Sequence, residues 1–578
     1  MQACRFIGRL VFFKTADRGL ETQDWRLDSD IRYLHPVFLF FDKVNLMKKA
    51  LFLFFTCLFP FFSFAQMPQY DLVLMNGRII DGSGNTWFKG NVGIAKGKIV
   101  AIGYFDSKNA RKIIDVKNMI IAPGFIDIHT HIEDDEEKTP TADNFIYDGV
   151  TSVITGNCGS SNLDFKSYFN KLTQIKTSIN IGSLIGQGSV RSQVMNDSNL
   201  PPTLAQQKEM ETIVEEAMKN GAMGLSTGLI YVPGTYSTTE EIVGLAKVVA
   251  RYHGIYTTHM RSETVKVFEA IDEAINIGKQ ANIPVEISHL KVGRPNLNRS
   301  AETLKLIEKA RSEGYDVTCD QYPYSASSTS LRSLIPAWAF AGNDSTYHKR
   351  LTDTAARRKL VNEMLNDAAR RGNKDFSYAV VAYCNADTAL NGKSITQINK
   401  LKGRGENLTD EINTMLDLVD QGWVQMVFHG MNEDDIETIM KYPFTMVASD
   451  GSIREFGKGM PHPRSYGTNA RVLGKYVRER QVIKLEDAIR RMTSAPAQRF
   501  NLKGKGLIRE GMDADIVVFD ETKVEDLSTY DKPHAFSTGF EYVIVNGVLT
   551  LTSGKHTGAK NGKVLYGGGF HSKQKGHK

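Results

Sequence analysis

Between residues 124 and 451 the chain alternates short apolar runs with amphipathic stretches, and this rhythm restricts the fold more than any other feature. The apolar runs are GFIDIHTH (124–131), TSVITGN (151–157), INIGSLIG (179–186), MGLSTG (223–228), IYTTHM (255–260), PVEISHL (284–290), DVTCDQY (316–322) and TMVASDG (445–451). Stretches with helical spacing of apolar residues lie between most of them, among them LAQQKEMETIVEEAMKN and SETVKVFEAIDEAINIGKQA. Buried strands that alternate with helices build parallel sheets, because a parallel connection needs a crossover. Eight strands in this order predict an α/β fold, a (β/α)8 TIM-like barrel, with a doubly wound open sheet as the structural rival. The last two runs are separated by residues 323–444. That interval is too long for a simple helical connection, so a lid or insert at 325–444 is expected over the strand ends.

The two ends of the chain have a different texture. YDLVLMNGRIIDG, NVGIAKGKIVAIG and KIIDVKNMIIAPG read as hairpins broken by Asn-Gly, Asp-Gly and Lys-Gly, and DADIVVFD (513–520) with YVIVNGVLTLTSGKHTG (542–558) repeat the pattern. One small β-sandwich domain assembled from residues 66–122 and 500–570 is expected, around a barrel at 123–499. Gly567, Gly568 and Gly569 read as a loose tail.

Composition separates the front of the chain from the rest. The whole is 41% hydrophobic and 24% charged with a net charge of +6, which excludes disordered, fibrous and disulfide-stapled classes. No long Lys/Arg tract accompanies the charge, so no nucleic-acid partner is expected. Thirteen of the 30 Phe fall in the first 65 residues. Within them Met47-Lys48-Lys49 precedes the apolar run Ala50 to Ala65, and Ser63-Phe64-Ala65 supplies the small residues that a signal peptidase reads. The run contains Pro60 and is shorter than the about 20 residues of a spanning helix, although a retained anchor is the plain alternative. Residues 1–65 are therefore read as a dispensable leader with a signal peptide at 47–65, and residues 1–46 as a start site placed too early. The product is expected to be exported, periplasmic or secreted, with no stable membrane span after signal removal. Residues 66–578 carry 62 Lys+Arg and 59 Asp+Glu, close to neutral, and three of the five cysteines: Cys158, Cys319 and Cys384.

Several of the eight runs end in a metal-ligand residue type: His129 and His131 in the first, Cys158 after the second, His259, His289 and Asp450 at the fifth, sixth and eighth. Residues i and i+2 of a strand face the same side, so His129 and His131 point together. The C-terminal strand ends are where barrel enzymes keep their chemistry. A lone histidine or cysteine at such a place is usually a satisfied core residue; six residues of ligand type at strand ends are a different matter. Imidazole and thiolate together suit Zn2+.

The run IIAPGFIDIHTH, the strings SHLK and ASDG, and the terminal GMDADIVVFD with VNG resemble the amidohydrolase superfamily. TGNCGSS, GLSTGLIYVPG, THMRSE, ISHLKVG, DQYPYSASST, HPRSYGT, RVLGKYVRE and GKHTGAKNGKVL resemble more closely its N-acyl-D-amino-acid deacylase (D-aminoacylase) family, over Tyr70 to Leu565. The resemblance implies a barrel with a β-sandwich appendage. It makes Cys158, His259 and His289 the ligands of a tightly held zinc, and His129, His131 and Asp450 with a shared Cys158 those of a second, weaker site. It implies Asp450 as the catalytic acid/base, taking a proton from the attacking water and delivering it to the leaving nitrogen. It also implies Tyr231, Lys291, Tyr322, Ser328 and Arg464 as the residues that bind the substrate carboxylate, and a preference for D-substrates. Gln187 departs from the histidine that the family pattern leads one to expect.

The expected reaction is zinc-dependent hydrolysis of a small N-acyl-D-amino acid, or of a short peptide with a C-terminal D-residue. A cyclic amidase of the dihydroorotase or hydantoinase kind is the alternative, although the lysine that bridges metals in such enzymes is absent. A non-catalytic exported binding protein is the alternative from another class. Nucleophilic serine catalysis is not expected, on the reading that the chain has no G-x-S-x-G nucleophile elbow.

Overall fold

Each of the eight apolar runs forms strand in the computed structural model, which describes residues 69–342 and 344–571. The leader and its signal, residues 1–65, lie outside the described residues. Phe125–Asp127, Val150–Thr155 and Asn180–Ser183 pair in parallel in that order. Ile185–Gly186, Gly224–Gly228, Ile255–His259, Val285–Ile287, Val317–Gln321 and Thr445–Val447 form a second parallel set, again in chain order. Leu184 alone separates the two sets. At the other extreme Thr130, just past the first strand, makes a parallel bridge to Gly451, just past the last. The Asp127 carboxylate adds to this seam by accepting from the backbone N–H of Ser449 at 3.0 Å. Strand order thus follows chain order, without the reversal that defines a doubly wound sheet.

The helices between the strands form for local reasons. Leu204–Lys219 starts at a capping box, with Thr203 and Gln206 each satisfying the other's backbone N–H. It buries Met210, Val214, Ala217 and Met218, one stripe at helical spacing. Val267–Ala281 buries a similar stripe and stops at Asn282, whose left-handed backbone (φ 51°) closes the last turn.

The ends of the chain pair with each other. Ile120–Pro123 lies antiparallel to Ile516–Phe519, with Ile121 opposite Val518, inside one nine-stranded sheet that runs from Lys555–His556 to Lys98–Gly103. Its buried face joins Leu74, Ile79, Val92 and Ile94 to Ile516, Val518 and Ile544.

The glycines at 567–569 are not a loose tail. Val564 bridges Ile181 on a parallel strand, Leu565 N–H donates to Ile181 O at 2.8 Å, and Gly567 N–H donates to Gly221 O at 2.9 Å. A Cβ on Gly567 would stand 2.1 Å from Ala222 O, so the glycine allows a backbone approach that a side chain would block.

Residues 326–429 fold around a separate antiparallel sheet, in the order Ala326–Ser330, Val424–His429, Ala379–Cys384. Helices Thr354–Arg371 and Leu408–Gln421 cover it, and Leu360, Met364, Val381, Ile412, Met415, Leu416 and Met426 form a hydrophobic cluster of their own. Among the described residues no helix is long and apolar enough to cross a membrane.

Candidate metal centre and substrate cavity

The loops that leave the parallel strands bring the ligand-type residues together around one sulfur. Cys158 Sγ lies 3.3 Å from His129 Nε2, 3.7 Å from His289 Nε2 and 3.8 Å from His259 Nδ1. Asp450 Oδ1 is 3.2 Å from His131 Nε2 and 3.7 Å from His129 Nε2, which joins the two histidines of the first loop to the end of the last strand. Cys158 (φ 52°), His289 (φ 37°) and Asp450 (φ 51°) all adopt left-handed backbone. For residues with a Cβ this costs of order 1–3 kcal/mol each, a strain that collects where side chains must be aimed.

Electrostatics sharpen the picture. Burial pushes the Cys158 thiol well above its usual range, and the carboxylates of Asp450 and Glu263 push it further. A thiolate at this place therefore requires a cation beside it. Burial likewise lowers His259 and His289, keeping both imidazoles neutral and able to offer a lone pair. Burial alone would raise Asp450; Arg464, His129 and His131 outweigh it and hold the carboxyl well below the usual carboxylate range.

These residues fit a metal. The donor atoms of His129, Cys158 and His289 lie within 4.8 Å of one another, and so do those of His129, His131 and Asp450. Sulfur with imidazole nitrogen is the donor set of zinc. The sulfur stands within 3.8 Å of three imidazoles, including His129, which the resemblance assigns to the second site.

Tyr231, Lys291, Tyr322, Ser328 and Arg464 line one cavity of about 2140 Å3 with Cys158, His131, His259, His289 and Asp450. Tyr231 OH is 3.3 Å from His259 Nδ1 and accepts from Thr329 Oγ1 at 2.9 Å. Arg464 Nη1 is 2.9 Å from Asp450 Oδ2, while Nη2 donates to Ser328 O at 3.1 Å. Lys291 and Arg464 both lie over the Tyr322 ring, at 5.4 and 4.7 Å. The Ser328 hydroxyl accepts from Gln425 Nε2, so the first strand of the insert forms a wall of the site. Gln187 stands apart, buried in a network in which its amide donates to Ser237 Oγ and Glu241 Oε1.

Three features of the site go beyond what the sequence motifs suggest. Glu263, inside the motif THMRSE, sits 2.9 Å from His289 Nδ1 and 2.6 Å from Lys291 Nζ. Asp320 accepts from His289 N–H at 2.8 Å and lies 3.6 Å from His129 Nδ1. Its position near the end of the parallel strand Val317–Gln321 is the signal that could have found it. The string GLSTG (224–228) does carry the G-x-S-x-G letters of a nucleophile elbow, which corrects the expectation that no such string is present. Ser226 lies buried within the strand Gly224–Gly228, donating to Gly156 O and accepting from Gly159 N–H, so its hydroxyl is committed to the backbone.

Residues 112–551 match the model of the Amidohydrolase family, and the chain belongs to that family of hydrolases. Within it, D-aminoacylase of Alcaligenes xylosoxydans xylosoxydans is 33% identical over 524 residues, covering 86% of this chain and 97% of that protein. N-acyl-D-glutamate deacylase of the same organism is 33% identical over 502 residues, covering 83% and 93%. The solved structure of N-acyl-D-glutamate deacylase from Bordetella Bronchiseptica holds zinc and a phosphonate mimic of the tetrahedral intermediate. It matches with a TM-score of 0.74 at 30% identity, covering 86% of this chain and 99% of that one. A D-hydantoinase structure shares the fold at a TM-score of 0.51 and 15% identity.

Proposed function

We propose that the protein is a zinc-dependent hydrolase of N-acyl-D-amino acids, or of short peptides ending in a D-residue, and that it releases a carboxylate and a free amino acid. The observation that carries this reading is a sulfur ringed by three imidazoles in the cavity that also holds Arg464 and Lys291. The acylated amino acid is what the D-aminoacylase and deacylase relatives are named for, and the D preference rests on those names.

Cys158, His259 and His289 would hold the tighter zinc, and His129, His131 and Asp450 with the shared Cys158 a second one. Zinc bound there supplies Lewis acidity, polarising the scissile carbonyl and lowering the pKa of the attacking water. Asp450 takes the water's proton and returns it to the leaving nitrogen, which departs poorly unless protonated. Arg464 keeps that carboxylate oriented through its 2.9 Å ion pair. Arg464 and Lys291 present their cationic heads to the substrate carboxylate, with Tyr322 beneath both and Tyr231 and Ser328 at the sides. Strands 326–330 and 424–429 of the insert close the cavity and set what acyl and side chains fit.

We read the two parallel sets, joined at Leu184 and at Thr130–Gly451, as a single (β/α)8 barrel at 123–499. On this reading the nine-stranded sheet of 66–122 and 500–570 is its β-sandwich appendage and 325–444 is its lid. Export belongs to the same proposal and rests on the leader. N-terminal sequencing of the exported protein is expected to find a mature end at Gln66; an end before Met47 would reject it.

The deciding experiment is zinc-replete kinetics on matched N-acetyl-D and N-acetyl-L amino acids, dipeptides and cyclic imides. Turnover of the D-series is expected. Turnover confined to L-substrates or cyclic imides overturns the reading, and no turnover in a zinc-loaded protein makes it a binding protein.

A further inference from the structure

We propose that Glu263 is a positioning residue that orients His289, ties it to Lys291 and sets its charge behind His259. This inference rests on the zinc reading above, but not on the identity of the substrate.

Glu263 stands four residues past His259, in the loop leaving the strand Ile255–His259. Its two oxygens divide their work. Oε1 is 2.9 Å from His289 Nδ1 and 2.6 Å from Lys291 Nζ, while Oε2 faces His259 Nε2 at 3.9 Å. The opposite nitrogens, His289 Nε2 and His259 Nδ1, are those that face Cys158 Sγ. One carboxylate thus lies behind two rings that present different nitrogens to the same sulfur.

An imidazole offers a lone pair on one nitrogen when its proton is on the other. A carboxylate accepts and does not donate, so Glu263 holds the His289 proton on Nδ1 and leaves Nε2 free to ligate. At 3.9 Å it acts on His259 as a charge rather than as an acceptor, beside an Nε2 that is buried and has no hydrogen-bond partner.

Lys291 makes the carboxylate necessary. Its ammonium also lies 2.8 Å from His289 Nδ1. Were it to donate there, the ring proton would move to Nε2 and block the metal-facing nitrogen. By accepting from both groups, Glu263 prevents that exchange and holds the ammonium in the cavity. The loop is built to keep it in place. Glu263 O accepts from Gly293 N–H at 2.8 Å, and Arg261 bonds Glu273, Thr235 O and Ser237 O.

The test is zinc affinity, measured on the mature chain by competition with a chromophoric chelator, with X-ray absorption to count the ligands. Glu263→Gln, nearly isosteric, is expected to weaken zinc by about 10–100-fold with the coordination shell unchanged. Lys291→Met leaves the carboxylate behind both rings, and its affinity should stay near wild type. The double variant should recover part of the loss of Glu263→Gln, because the competing donor is gone; a merely structural role gives no such rescue. Glu263→Asp, which keeps the charge but draws it back by one methylene, should fall between. Wild-type affinity in Glu263→Gln, a double variant no better than the single, or the disappearance of an oxygen from the coordination shell would each overturn the proposal. A wild-type protein that takes up no zinc would instead bring down the metal-centre reading itself.

Discussion

The strand-end cradle and the insert at 326–429 face the same cavity but are held together by different forces. In the cradle the reactive residues are held by polar partners from other segments of the chain: His289 by Asp320 and Glu263, Asp450 by Arg464 and His131, His129 by Asp320. The insert has its own apolar cluster and lines the cavity with the hydroxyl strand Ser327 to Ser330 and with larger residues such as Phe340, Tyr378, Trp423 and Phe428. Chemistry and fit therefore rest on separate cores, so the insert can change shape without disturbing the candidate metal ligands.

The largest expected break is in the cradle. Asp450→Asn should lower kcat by about 10²–10⁴-fold, the usual worth of a positioned acid/base, while hydrogen exchange in the insert stays as in wild type. The mirror experiment is Leu416→Ala in the insert core, where the side chain is fully buried. It should cost about 2–5 kcal/mol locally, seen as faster hydrogen exchange across 326–429, with zinc affinity unchanged. Loss of zinc in that variant would show that the two cores are one. At their boundary, Arg464→Lys gives up a planar fork that spans Asp450 and the backbone of Ser328. Charged hydrogen bonds of about 1.5–3 kcal/mol predict a fall in kcat/KM of roughly one to two orders of magnitude.

The smallest effect is on pH dependence behind the cradle. Asp148 accepts from the N–H groups of Asn469 and Ala470 and from Ser537 Oγ, but burial dominates and lifts its carboxyl to about 7. A folded pKa above the unfolded one stabilises fully at pH below 3.8, and that contribution is lost as pH rises through about 7. Between pH 5 and 8 the urea midpoint of wild type should therefore fall more than that of Asp148→Asn.

Sequence alone made the cradle legible because its information is local: apolar runs mark the strands, and residues of ligand type stand at their ends. The insert was legible only as an interval. Its strand Ala326–Ser330 is ASSTS, with no apolar alternation to betray it, and it exists through pairing with Val424–His429 about a hundred positions away. Glu263 was hidden for a related reason. Nothing in THMRSE says that its carboxylate reaches past His259 to a second strand loop. The glycines at 567–569 misled in the opposite direction, since the composition of a flexible tail is also what close backbone packing requires.

The antiparallel pair Ile121–Val518 has a consequence for the order in which the molecule is made. A ribosome delivers the first of these residues almost four hundred positions before its partner, and the segment that bridges Ile181 comes later still. The emerging chain can pair its first strands with one another early, but the sheet they belong to is completed only after Ile516–Phe519 has appeared. A polypeptide obliged to wait in this way closes its terminal sheet only near the end of its synthesis.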